Sequence, residues 1–127
     1  MDVALCVADC CAVFLFDPVT RAIGLAHSGA KGTRLGIVPQ TIRALHSQFG
    51  SDPANLVALL SPCIRPPWYE VDFAAEIRAQ CAAEGIQSVF DSGVCTASDP
   101  DRFYSYRREM GKTGRMLALL SLRSGSY

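Results

Sequence analysis

Apolar residues fall into short runs separated by polar, glycine-bearing or proline-bearing stretches. Val3 to Val7 and Cys11 to Phe16 are runs of strand length. Asp17-Pro18 breaks the second, because the residue before proline resists the helical region and Asp favours turns. Ala22 to Ala26 follows closely enough to form a hairpin with Cys11 to Phe16. From Ile37 to Phe49 the spacing changes to that of a helix. Ile37, Val38, Ile42, Leu45 and Phe49 share one face, and Pro39 fits only in the first turn, so the helix starts near Leu35 or Gly36. Leu56 to Leu60 predicts a buried strand. A second helix starts near Asp72, buries Phe73, Ile77 and Cys81, and ends at Gly85. Ile86 to Phe90 and Arg115 to Leu122 predict two more strands, and Arg123 to Tyr127 a frayed tail.

The intervening stretches carry their own signals. Ser28 to Gly36 holds Gly29, Gly32 and Gly36 with Lys31 and Arg34 between them, which reads as an anion cradle or as a plain strand-to-helix turn. Ser61 to Pro67 contains three prolines and cannot be regular structure; it is either a pocket wall or a rigid connector. Cys95-Thr96 opens a polar loop, Asp99-Pro100-Asp101 reads as a helix start or turn, and Gly111 to Gly114 as a turn.

With 127 residues the chain makes one domain, 1–127, long enough for a core. Lys plus Arg equals Asp plus Glu at 12 each, so no charge excess points to nucleic acid or to an anionic membrane. No apolar run is long enough to span a bilayer, and an acid follows Met1 where a secretory signal has a basic stretch. The six cysteines, Cys6, Cys10, Cys11, Cys63, Cys81 and Cys95, are therefore read as reduced thiols of a cytoplasmic protein, most of them buried as small apolar residues.

The hairpin sets the candidate chemistry. It puts His27 at the far end of the returning strand, close to Cys10 at the start of the outgoing one. Alternation sends Cys10 and Cys11 to opposite faces. A thiol beside an imidazole suits a borderline metal such as zinc, or a Cys–His nucleophilic pair. His46 lies off the apolar stripe of its helix and reads as a solvated surface residue.

Seven short segments occur in a telling order: Ala8-Asp9-Cys10; Ala26-His27-Ser28-Gly29 with Gly32-Thr33; Ser61-Pro62-Cys63-Ile64; Tyr69-Glu70-Val71; Cys95-Thr96; Phe103 to Arg108; and Thr113-Gly114-Arg115-Met116. From Leu5 to Leu122 the chain resembles the YfiH family, described first as polyphenol oxidases or multicopper laccases and later as purine nucleoside phosphorylases. The resemblance implies a single α/β domain of mixed β-sheets with flanking helices, a fold shared with cysteine-based glutamine deamidases. It also implies a zinc, sometimes copper, held by one Cys and two His, with Cys10 and His27 matching two of the three by position. The implied activity is phosphorolysis of adenosine, inosine and methylthioadenosine, together with adenosine deamination, with purine nucleoside and phosphate as partners. Lys31, Arg34 and Arg107 are then expected to hold phosphate, with Tyr104 or Tyr106 stacking the base.

Three departures from the family pattern stand out. Its first His ligand belongs to a Gln-Val-His-Gly-like segment upstream of the residues present here, so the expectation is a naturally short relative or a fragment. Cys63, Cys95, Cys11 or a histidine of a second chain are the candidate substitutes. Gly29-Ala30-Lys31-Gly32 replaces a Gly-Trp-Arg-Gly loop, and Trp68 stands where a cysteine is usual. Two alternatives remain open. One is a metal-free hydrolase or deamidase with Cys10 as nucleophile and His27 as base. The other is a non-catalytic interaction module whose bare sheet edge pairs into a homodimer.

Overall fold

The computed structural model describes residues 2–123. The strands are β1 (Asp2–Val7), β2 (Cys11–Phe16), β3 (Ile23–Ser28), β4 (Val57–Leu60), β5 (Ser88–Asp91) and β6 (Met116–Ser121). The helices are α1 (Ala30–Arg34), α2 (Ile37–Phe49) and α3 (Phe73–Ala83). Four strands form a mixed sheet in the order β3-β2-β4-β5, antiparallel except for the β4–β5 pair. β1 and β6 form a separate antiparallel ribbon, with no further strand on either outer edge among the described residues.

Alternation along β2 divides the interior in two. Cys11, Val13 and Leu15 point to the helical side, where they meet Val38, Ile42 and Leu45 of α2 and Phe73, Ile77 and Cys81 of α3. Burying each of these large apolar side chains stabilises the fold by roughly 1.5–3 kcal/mol. Ala12 and Phe14 point the other way, into a smaller cluster with Val7 and Leu5 of β1 and Met116 and Ala118 of β6. The ribbon thus caps the face of the sheet opposite the helices.

The hairpin turn is fastened by Asp17. Its carboxylate accepts hydrogen bonds from the Val19 amide at 2.8 Å and the Thr20 hydroxyl at 2.8 Å. Burial works to raise this carboxyl, but the hydrogen bonds from Thr20, Val19 and Ser51 together outweigh it and hold it below its ordinary range. Asp72 caps α3 by accepting from the Ala75 amide at 3.1 Å. Gly85 follows α3 with φ 97°, a left-handed position that closes the helix.

Two local expectations need correction. The stretch from Ser28 to Gly36, expected as an anion cradle or a plain strand-to-helix turn, contains α1, a single short helix. Gly36, at φ 77°, makes the left-handed step that separates α1 from α2 and fixes the start of α2 one residue on. The polar loop at Cys95 begins with a 3-10 turn over Thr96–Ser98. Of the expected tail, residues 124–127 lie outside the described residues.

Candidate functional site

The register of the hairpin brings the sequence-predicted pair together. Ala12 lies directly opposite His27, and Cys11 opposite Ser28. Cys10, two residues before Ala12, therefore sits on the same face as His27 and diagonal to it. Both side chains line a cavity of about 410 Å³ at the end of the hairpin away from Asp17. That volume lies within the roughly 300–1,000 Å³ usual for small-molecule sites. Tyr106 and Arg107 also line it, as do Tyr69, Ile64 and Phe73. Lys31 and Arg34 are exposed on α1, and neither lies on the cavity wall. Arg115, which sequence reasoning named as part of a motif and as the start of a strand, does. Its signal was its place beside a tyrosine-rich segment, and only the folded chain turns that into a position.

Cys10 is half-buried, and its thiol rests against Gly29. A Cβ added at Gly29 would come within 2.5 Å of the Cys10 sulfur. This contact explains why the residue before α1 is glycine. Burial, followed by the nearby charge of Asp9 and the neighbouring Cys63, raises the Cys10 thiol above its ordinary pKa. It is therefore a neutral thiol near pH 7, which disfavours the metal-free nucleophile reading.

Asp9 organises the cavity floor. Its φ of 107° is strained for a residue with a side chain. Its carboxylate accepts from the Thr96 hydroxyl at 2.7 Å and from the Arg107 amide at 2.7 Å. Its carbonyl accepts from the Ile64 amide at 2.8 Å. One residue thus joins three loops, two of which, those of Ile64 and Arg107, supply the cavity wall.

Cys6, exposed on β1, lines the same cavity, whereas Cys11, Cys63, Cys81 and Cys95 do not. Cys11 and Cys63 are wholly buried among core residues. The Cys11 thiol and burial together push Cys63 upward. Cys95 accepts a hydrogen bond from the Arg65 amide at 3.3 Å. His46 is exposed, and its Nδ1 lies 2.9 Å from the Ser51 carbonyl oxygen. Among the described residues no group of three or more His, Cys, Asp or Glu converges as a metal site needs. A catalytic zinc takes three protein ligands, and Cys10 with His27 supplies two. The donor set does not by itself complete such a centre.

The arginines differ sharply in how free they are. Arg65 is committed to Asp91 through two hydrogen bonds at 2.9 and 2.5 Å. Arg108 is spent on the carbonyls of Thr96 and Phe103. Arg107 lies over the Tyr69 ring at 5.3 Å and reaches Glu70 at 3.2 Å. Arg115 lies over the Tyr106 ring at 5.6 Å.

The model of a family described as multi-copper polyphenol oxidoreductase laccase matches residues 1–78 and 71–123. Purine nucleoside phosphorylase YlmD of Bacillus subtilis is 32% identical over 151 residues, covering 94% of this chain and 54% of that protein. Purine nucleoside phosphorylase YfiH of Escherichia coli is 27% identical, covering 94% and 58%. The crystal structure of YlmD from Geobacillus stearothermophilus superposes with a TM-score of 0.92 at 27% identity, covering 98% of this chain and 58% of that one. The chain therefore spans a little over half the length of these relatives. The Bacillus alignment is longer than the 127 residues of this chain, so that relative carries internal residues absent here. The two family matches meet at 71–78, the stretch that contains the cavity residue Phe73.

Proposed function

The chain belongs to the multi-copper polyphenol oxidoreductase laccase family, and from that membership we propose that its cavity carries out phosphorolysis of purine nucleosides. One observation carries the reading: a thiol and an imidazole on adjacent segments share a cavity of nucleoside size with two arginines. The names of the relatives supply the substrate class. Inosine, adenosine and methylthioadenosine are the substrates we propose.

The step is a displacement at the sugar. A phosphate oxygen forms a bond to C1′ as the bond from C1′ to the purine N9 breaks, and the electron pair leaves with the base. His27 is the group suited to put a proton on the departing purine, and the phosphate gives up its own proton to solvent. The neutral Cys10 thiol can donate a hydrogen bond but does not attack. The side chains of Ile64 and Phe73 offer an apolar wall for the base. Zinc or copper, the metals this family suggests, would need a further donor beside Cys10 and His27, and no step here runs through one. Lys31 and Arg34, off the cavity wall, are left out of the phosphate site.

The test is release of free base from inosine, measured with and without added phosphate. The reading expects phosphate-dependent release that falls by at least about 100-fold in His27→Ala, a loss of the size usual for general acid–base groups. Release that ignores phosphate, or that His27→Ala leaves intact, would sink it.

A further inference from the structure

We propose that Arg115 and Arg107 form the anion site of this cavity, with Arg115 the principal ligand for inorganic phosphate. The phosphorolysis reading enters only in naming the anion.

Both arginines line the one cavity, and they differ in readiness. Arg107 is shared with Glu70 at 3.2 Å, so an incoming anion competes with a carboxylate for it. Arg115 takes part in no ion pair among the described residues. One of its nitrogens donates to the carbonyls of Gly114 at 3.1 Å and Thr113 at 3.4 Å. Its guanidinium carbon lies 5.6 Å from the centre of the Tyr106 ring. Backbone carbonyls thus hold one edge and an aromatic ring supports the group. The remaining donors form a pre-set fork of the kind that grips a phosphate through two parallel bonds.

This arrangement reassigns the tyrosines. Tyr106 is packed against Gly111, where a Cβ would come within 3.2 Å of the ring, and Arg115 lies over it. A ring so engaged backs an arginine and is not free to stack a purine. Tyr104 is packed against Gly114 and is not part of the cavity wall. The stacking role expected of Tyr104 or Tyr106 thus gives way in this proposal to one in which Tyr106 positions Arg115.

Calorimetric titration with inorganic phosphate, and separately with inosine 5′-monophosphate, tests the site on the intact chain. Arg115→Gln should weaken inorganic phosphate at least tenfold and leave the KM for inosine unchanged. Arg115→Lys, which keeps the charge but loses the fork, should fall between, and circular dichroism checks that both variants fold. Tyr106→Leu should weaken phosphate several-fold without changing the pH profile. An Arg115→Gln variant within twofold of the wild type overturns the proposal, as does a wild-type chain that binds no inorganic phosphate or loses only the monophosphate on substitution. Phosphate binding that depends on Arg115 in a chain that never cleaves inosine would keep the anion site and remove the phosphorolysis reading.

Discussion

Replacing Asp9 should damage both stability and the cavity, by an amount that can be worked from its bonds. Its carboxylate accepts from Thr96 and Arg107 at 2.7 Å each, and the residue is only 8% exposed. Hydrogen bonds to a charged group contribute about 1.5–3 kcal/mol each, and removing the acceptor leaves two desolvated donors behind. Asp9→Ala should therefore cost roughly 3–6 kcal/mol, a large share of the 5–15 kcal/mol typical of a domain. Asp9→Asn keeps one acceptor and should lose about half as much. Asp9→Gly loses both bonds but relieves the positive φ, recovering about 1 kcal/mol relative to Ala. The expected order is wild type, Asn, Gly, Ala, read from urea midpoints by circular dichroism. The Arg107 amide also loses its anchor, so phosphate affinity should fall in the same order. An Asp9→Ala variant within about 0.5 kcal/mol of wild type would refute the claim that this residue ties the loops together.

Three further outcomes follow from the same geometry. Gly29→Ala introduces a Cβ at 2.5 Å from the Cys10 sulfur. It should cost about 1–3 kcal/mol and lower inosine turnover, whereas unchanged turnover would mean that the thiol position does not matter. Iodoacetamide near pH 7 should label the exposed Cys6 before Cys10, whose pKa is raised by burial; mass spectrometry showing Cys10 labelled first would contradict this. The hydrogen bonds from Arg65 depress the pKa of Asp91 in the folded state. Its contribution is therefore complete above the unfolded carboxylate value of about 4 and is lost as pH falls through the lower folded value. Asp91→Asn should be destabilised at about pH 7 and should lose less stability than wild type between about pH 5 and about pH 3, as urea titrations at each pH would reveal.

The hairpin that makes the cavity was legible because its signals are local. Asp17-Pro18 marks the turn, and period-two alternation then puts Cys10 and His27 on one face. The amphipathic stripe and Pro39 located α2 in the same way. What the sequence hid was non-local. Arg107 was named beside Lys31 and Arg34, but nothing within Arg115 says that its distant segment folds onto the same cavity wall. Glycine spacing around Lys31 and Arg34 suggested a cradle, but Gly29 is glycine for room beside a thiol, and Gly36 for a left-handed step. Nor does the sequence say that Tyr106 packs beside Gly111 and Arg115, or Tyr104 beside Gly114. Motif order also concealed the internal residues that the Bacillus relative carries and this chain lacks, since order keeps no record of spacing.

The most direct measurement is phosphorus NMR of the chain incubated with inosine and inorganic phosphate, with the free base quantified in the same sample. The expected result is a sugar 1-phosphate formed in step with hypoxanthine, and neither product from His27→Ala. Hypoxanthine without a sugar phosphate, or no consumption of inosine by the wild-type chain, would contradict it.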